Sequence, residues 1–170
     1  PGAMTINLLL KDFFLPEGAR LYLFDADNTN RVGAYTSRNN RMDGELGTEL
    51  VHGSKIYVEY FEPNSVEGLG RFTISDVIHG YRSLDRIQQD LNKALNSSGN
   101  CNIDVLCPLG AGWENQIRAV AMIVINGSGI CTGALINNTN NDGTPYFLTA
   151  NHCVGGGSTS NWAFRFNWKS

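Results

Sequence analysis

The first hundred residues of this 170-residue chain contain no cysteine, and the whole chain has little proline, no excess of basic charge and no long hydrophobic run. Its 13 lysines and arginines stand against 16 acidic residues, which leaves a formal net charge of −3. This balance excludes a nucleic-acid-binding protein that relies on neutralising phosphates. No hydrophobic run approaches the roughly 20 residues of a transmembrane helix. We therefore expect neither a nucleic-acid nor a membrane partner.

Turn-forming residues are abundant instead. The chain has 19 glycines and 19 asparagines, and hydrophobic residues make up 42% of it. Glycine and asparagine supply the tight turns between strands, and this hydrophobic share is sufficient for a folded core. The composition therefore predicts a mainly β protein.

The composition changes near residue 100. All four cysteines follow that point, whereas only three of the 16 acidic residues do, and residues 95–100 form a polar linker. A chain of this length has room for one domain or for two small ones. We predict two regions, residues 1–93 and residues 94–170.

The first region is predicted to be an antiparallel β-sandwich with one helix at its end. Short β-forming runs alternate with turn clusters at a spacing typical of sandwiches; the runs are residues 6–14, 20–24, 31–36, 45–51, 55–61 and 71–78. A helix is expected to follow, because Ser83 is a suitable N-cap and apolar residues recur after it at helical spacing.

The second region is predicted to form an incomplete, chymotrypsin-like β-barrel. Its strands are residues 117–126, 130–136, 146–150 and 162–168. About 70 residues are too few to close a six-stranded barrel around a core of its own. In the last strand Phe164, Phe166 and Trp168 alternate with polar residues, which favours core packing over a carbohydrate-binding platform.

One segment of the second region has the features of a mounted general base. A predicted strand ends at Thr149-Ala150 and is followed at once by Asn151-His152-Cys153. A general base must be held in one orientation toward its nucleophile. A disulfide from Cys153 to Cys131 on the neighbouring strand could fix the backbone that carries His152, and it would stabilise the fold by about 3 kcal/mol.

Several strings of residues resemble trypsin-like serine endopeptidases, most closely the bacterial lysyl endopeptidases. The catalytic-histidine segment is similar to Cys131-Thr132-Gly133-Ala134-Leu135 and Tyr146-Phe147-Leu148-Thr149-Ala150-Asn151-His152-Cys153. The start of the mature enzymes is similar to Ser98-Gly99-Asn100-Cys101-Asn102-Ile103-Asp104-Val105-Leu106-Cys107-Pro108. The resemblance covers residues 98–168, and residues 1–95 are more weakly similar to the pro-regions of such enzymes.

The resemblance implies roles for several residues. It implies that His152 is the general base of a Ser-His-Asp triad and that Cys131 and Cys153 form a disulfide. It also implies that Cys101 and Cys107 bond to cysteines further along the enzyme, although a bond between these two stays open. The triad aspartate and serine are expected outside this chain. We therefore expect an inactive fragment of a secreted enzyme whose complete parent cleaves polypeptides without a cofactor.

Other polar residues are predicted to be structural. These residues lie in predicted turns, at a predicted strand end or beside the first cysteines. They are His52, His79, Asp104, Ser128 and Asp142. The Asn-Gly-Ser-Gly string around Ser128 lacks the strand-to-helix elbow of a nucleophile and predicts a hairpin turn. The cysteine spacing departs from that of zinc sites, so no metal is expected. Disulfides favour a secreted or periplasmic location.

The sequence also offers a processing site at Lys93 and an alternative function. A lysine-specific parent could remove its own pro-region after Lys93 and leave Ala94 as the new N-terminus. Lys93 is equally compatible with the end of a helix, and Arg82 and Arg86 are competing sites. The pro-region is expected to contact the protease domain of the same chain. The alternative to a protease is an extracellular β-sandwich module for binding or adhesion with a non-catalytic protease-like remnant.

Overall fold

The computed structural model describes residues 2–81, 105–155 and 158–167. These residues form three antiparallel sheets, and the prediction of a mainly β protein is confirmed. Among them, no helix is both long and apolar enough to cross a membrane. The predicted helix after Ser83, the junction at Lys93 and Ala94, Cys101 and Trp168 all lie outside the described residues.

The N-terminal region, residues 2–81, contains two of the sheets. Its strands are β1 (Thr5–Phe14), β2 (Arg20–Asp25), β3 (Arg31–Tyr35), β4 (Leu46–Gly47), β5 (Val51–His52), β6 (Ile56–Phe61) and β7 (Arg71–Gly80). In the first sheet β1 pairs with β7 along one edge and with the short β4 and β5 along the other. The second sheet has the order β3-β2-β6.

The two N-terminal sheets share one core. Leu8 and Leu10 of β1 belong to the same buried cluster as Leu21 and Leu23 of β2, and none of these side chains is more than 3% exposed. Each pair is spaced two residues apart, which places both members on one face of their strand. Two antiparallel sheets packed face to face around such a cluster form the sandwich that the turn spacing predicts.

The strand predicted over residues 45–51 is wrong as a continuous element. The structure has two-residue strands at β4 and β5 with residues 48–50 between them. Thr48 explains the interruption, because the Leu8 backbone N–H donates to its side-chain Oγ1 at 2.9 Å instead of to a backbone carbonyl. The side chain thus replaces one rung of the ladder, and the strand resumes at Val51.

The C-terminal region, residues 105–167, contains one open sheet. Its elements are α1 (Glu114–Ala119), β8 (Val120–Ile125), β9 (Gly129–Ile136), β10 (Tyr146–Thr149), the single helical turn α2 (Asn151–Val154) and β11 (Ala163–Phe166). The strand order is β10-β9-β8-β11, and within the described ranges the sheet does not close on itself. This open sheet agrees with the expectation of an incomplete barrel.

The start of the strand predicted over residues 117–126 is wrong, because Ile117 to Ala119 belong to α1. The Ile117 N–H donates to the Trp113 carbonyl at 2.9 Å. Glu114 lies in the first turn and Arg118 in the last, where each charge stabilises the helix dipole. Both charges favour the helical turn at residues where the sequence pattern predicts a strand.

The open sheet has two distinct faces. We call the face that carries Cys131, with its pair partner Ile123, the disulfide face, and the face that carries Met122 and Val124 the docked face. Phe164 lies on the disulfide face opposite Ile123, and Ala163 lies on the docked face opposite Val124. Adjacent residues of a strand point to opposite faces, so every strand contributes to both.

Phe164 and Phe166 are less buried than the predicted core packing of the last strand implies, and Trp168 lies outside the described residues. Phe164 and Phe166 contact Phe147 edge to face, with ring centroids 4.9 and 6.3 Å apart, but they remain 43% and 41% exposed. Ala121 and Ile123, on the inner strand β8 of the same face, are by contrast 1% and 0% exposed. Asn167 then adopts a positive φ of 56°, which ends the strand at Phe166.

The docked face is covered by the N-terminal region. Leu50 packs with Met122, Val124 and Ala163 in a small buried cluster. The turn between β8 and β9 contributes as well, because a Cβ on Gly127 would collide with the Ile78 side chain. The two regions are therefore in direct contact through one face of the C-terminal sheet.

Candidate active-site histidine

The β9–β10 ladder brings the two motifs of the predicted site together. Thr149 pairs with Gly133, and the Thr149 hydroxyl donates to the Thr132 carbonyl at 2.8 Å. Gly133 has no space for a side chain, because a Cβ there would overlap the Phe147 ring and the Leu148 carbonyl. Glycine at this position therefore lets the strand that ends before His152 lie close to β9.

His152 lies in the single helical turn α2, directly after β10. The Cys153 N–H donates to the Ala150 carbonyl at 3.0 Å, and Gly155 ends the turn in the left-handed conformation with a φ of 52°. A disulfide joins Cys153 to Cys131 of β9. The turn that carries His152 is thus bonded covalently to the neighbouring strand, and the histidine side chain itself is exposed.

The disulfide leaves neither of the sulfurs near His152 as a free thiolate that could bind a metal ion. A ring nitrogen of His152 and the sulfurs of Cys131 and Cys153 lie within 4.8 Å of one another. Thiolates bind metal ions, but both sulfurs are already bonded to each other. Among the described residues no side chain forms a hydrogen bond with His152. The exposed imidazole is therefore available to groups supplied by other residues or by a substrate.

Asp142 and Ser128 do not belong to this site. The Asp142 carboxylate accepts from the Asn138 side-chain amide at 2.6 Å and from the Thr144 N–H at 2.9 Å. The hydrogen bonds from Thr144 and Asn138 hold the Asp142 pKa at about 2, below its usual 3.8. Ser128 closes the turn between β8 and β9, where its N–H donates to the Ile125 carbonyl. The prediction that both residues serve turns is confirmed.

The remaining predicted residues are dispersed. His52 is half-buried in β5, and His79 is exposed in β7. Cys107 carries an exposed free thiol. Lys93, Ala94, Cys101 and Asp104 lie outside the described residues. A cavity of about 260 Å³ between the two regions is lined by Leu50, Ile78, Val124 and other residues that do not include His152.

Residues 160–165 make contacts with the N-terminal region that the sequence motifs do not indicate. The Ser160 hydroxyl donates to the Asp43 carboxylate at 2.6 Å, and the Asn161 side-chain amide donates to Glu45 at 3.2 Å. Arg165 forms an ion pair with Glu49 at 3.1 Å. The acids at positions 43, 45 and 49 all occupy odd positions, which lie on one side of an extended chain. This spacing is the sequence signal of a common contact surface.

Electrostatics distinguish two of these carboxylates. The Ser160 hydroxyl, the Glu45 N–H and Arg41 together hold the Asp43 pKa at about 2. Burial raises the Glu49 pKa, and the Arg165 guanidinium opposes that shift. Asp43 is therefore stabilised as an anion at the contact, whereas Glu49 is partly desolvated there.

Comparison with known proteins agrees with the geometry of the C-terminal region. Residues 95–170 match the family described as lysyl endopeptidase, C-terminal domain. A curated lysyl endopeptidase from Pseudomonas aeruginosa is 30% identical over 114 residues, which cover 62% of this chain and 24% of that protein. The chain thus spans about a quarter of the length of that relative. The part of this chain that aligns with the relative is longer than residues 95–170, so the similarity extends into the residues before position 95. No solved structure matches.

Proposed function

Because the chain is lysyl endopeptidase-like, we propose that it comprises the pro-region and the N-terminal part of the catalytic domain of a secreted serine endopeptidase. The observation that carries the proposal is the mounting of His152 on a turn that a disulfide joins to the neighbouring strand. A general base needs such a fixed position. The similarity that reaches into the residues before 95 supports a pro-region over an unrelated binding module.

In the proposed mechanism His152 acts as the general base of an acyl transfer. It takes the proton of a serine hydroxyl as the serine attacks the peptide carbonyl, and it later gives that proton to the leaving amine. A carboxylate on the other ring nitrogen would hold the imidazole in the required tautomer. No described residue supplies either partner, so the proposal assigns the serine and the aspartate to residues outside those described. The chain by itself is expected to be inactive.

The proposed substrate is a polypeptide that is cut after lysine. This preference is taken from the name of the relative and family. It would let the enzyme remove its own pro-region between Lys93 and Ala94. The family match begins at residue 95, one residue after the proposed N-terminus, which supports a junction at this position. Cys101 and Cys107 are proposed to bond to cysteines further along the complete enzyme.

Substitution in the full-length parent tests the role of His152. We expect His152→Ala to lower kcat/KM for a lysyl ester by at least about 10,000-fold, because the loss of a triad base has effects of this size. His79→Ala, which removes an exposed histidine of β7, is the matched control and should retain full activity. Equal activity of the two variants would contradict the proposal.

Mass spectrometry of the secreted parent tests the junction. The expected mature N-terminus is Ala94. Cleavage after Arg82 or Arg86 instead would overturn the assignment of Lys93 and would also argue against a strict preference for lysine.

A further inference from the structure

The segment from Asp43 to Glu49 has two different sides. Leu46 and Thr48 point into the N-terminal region, where they are 8% and 1% exposed and where Thr48 bonds to Leu8. Asp43, Glu45 and Glu49, on the opposite parity, bond to residues of the C-terminal region. We call this second side, residues 43, 45, 47 and 49, the bridging strip. One short stretch thus belongs to the core of one region and to the surface contact with the other.

The bridging strip contacts residues 160–165, which follow the His152 turn in the sequence. Its partners are Ser160 and Asn161 in the loop before β11 and Arg165 within β11. Gly47 shows how close the two segments are, because a Cβ at this position would lie 2.5 Å from the Asn161 carbonyl oxygen. The φ of Gly47 is not positive, so its lack of a side chain serves the close approach and not a backbone conformation.

The Arg165 end of this contact lies on the docked face, because Arg165 pairs with Met122. Leu50, directly after the segment, packs on Met122, Val124 and Ala163 of the docked face, whereas the disulfide that holds the His152 turn is attached to the other face through Cys131. His152 itself is exposed. The N-terminal region therefore contacts residues 160–165 and leaves the His152 side chain exposed.

We propose that the bridging strip is a recognition surface for residues 160–165, through which the N-terminal region holds this segment and β11 in place. The strip supplies carboxylates, and its partner supplies a hydroxyl, an amide and a guanidinium, so the two sides are complementary in hydrogen bonding and charge. The inference rests on this contact and not on the proposed role of His152.

Hydrogen exchange on the intact chain tests the recognition surface. In the double variant Asp43→Ala/Glu45→Ala, amides 160–166 should exchange about a hundredfold faster, because two hydrogen bonds to charged groups are lost and each weakens the contact roughly tenfold. Asp27→Ala, which removes an exposed carboxylate in the turn before β3, is the control. Unchanged exchange at 160–166, or equal acceleration in β1 and β2, would overturn the proposal.

A steric variant gives a second, independent test. Gly47→Ala places a methyl group against the Asn161 carbonyl while it keeps every polar group of the strip. Amides 160–166 should again lose protection, and the amides of β2 should keep theirs. If Gly47→Ala leaves residues 160–166 as protected as in the unsubstituted chain, the close contact does not hold the loop and the proposal fails.

Chemical labelling tests whether the N-terminal region shields the His152 side chain in addition to contacting residues 160–165. Diethyl pyrocarbonate acylates accessible imidazoles, and we expect His152 of the intact chain to react at a rate within about threefold of the exposed His79, since both side chains are exposed. Protection of His152, relieved in the Asp43→Ala/Glu45→Ala variant, would show that the N-terminal region covers it and would overturn the inference. None of these readouts depends on protease activity, so the inference about the bridging strip can fail without the proposed function failing, and the reverse.

Discussion

Residues 2–81 and residues 105–167 are both antiparallel β structures, but they are stabilised by different means. The N-terminal region has no cysteine and buries leucines of two sheets in one shared core. The C-terminal region has one sheet, whose docked face rests on the N-terminal region and whose disulfide face leaves Phe164 and Phe166 partly exposed. A disulfide joins β9 to the His152 turn on that second face.

The difference indicates which region depends on the other. A sheet buries its apolar residues only when another layer packs on it, and the N-terminal region provides both layers itself. The C-terminal sheet receives the layer on its docked face from the N-terminal region, and its disulfide face buries Ala121 and Ile123 but leaves Phe164 and Phe166 partly exposed. We therefore expect the N-terminal region to be the stable part of the chain and the C-terminal sheet to depend on it and on its disulfide.

The largest effect on stability is expected from the shared core. Leu21→Ala removes a completely buried side chain, and it should lower the free energy of unfolding by about 3–5 kcal/mol. Phe164→Ala on the disulfide face should lower it by less than about 1.5 kcal/mol, because the ring is already partly exposed. Urea denaturation of both variants measures the difference. Equal losses would remove the contrast between the two regions.

The disulfide is expected to have the next largest effect, and only in the C-terminal region. Replacing Cys131 and Cys153 together by alanine opens a link between residues 22 positions apart and should cost about 3 kcal/mol. Hydrogen exchange should show lost protection in β9 and β10 and unchanged protection in β1 and β2. Cys107→Ala, which removes an exposed thiol, is the control. Loss of protection throughout both regions would contradict the division.

The contact between the regions should contribute less than either. Leu50→Ala takes one side chain out of the cluster with Met122 and Val124, and a loss of about 2 kcal/mol is expected, at the lower end for buried leucines. The loss should be seen in β8 and β11. A variant in which β2 loses as much protection as β8 would show that Leu50 belongs to the N-terminal core.

The smallest effect is expected from the pH dependence of the contact between Asp43 and Ser160. Hydrogen bonds hold the Asp43 pKa at about 2 in the folded chain, below the 3.8 of an unperturbed carboxyl. The ionised group therefore stabilises the fold above pH 3.8, and this contribution is lost as the pH falls toward 2. It should stay below about 1 kcal/mol, since the carboxylate is largely exposed.

Nuclear magnetic resonance measures this effect directly. The Ser160 amide should titrate with a midpoint near pH 2 in the unsubstituted chain, and Asp43→Asn should abolish the transition. A midpoint near 3.8 would show that Asp43 is not held by Ser160 in solution.

The sequence predicts local elements well and long-range contacts poorly. The alternation of apolar residues and the turn signals locate most strands of the sandwich, and the Thr-Ala-Asn-His-Cys string indicates the histidine. The break at Thr48 escapes such patterns, because it depends on a hydrogen bond to Leu8, forty residues away. The bridging strip escapes them for the same reason, since Asp43 meets Ser160 only after both regions have folded.

Native-state hydrogen exchange of the intact chain tests the unequal stability of the two regions most directly. It measures the opening free energy of each segment separately. We predict that the amides of Leu21 and Leu23 exchange only by complete unfolding, and that those of Ile123 and Cys131 exchange by a partial opening of lower free energy. If all four open together, or if the C-terminal sheet opens last, the dependence of the His152-bearing sheet on the N-terminal region is contradicted.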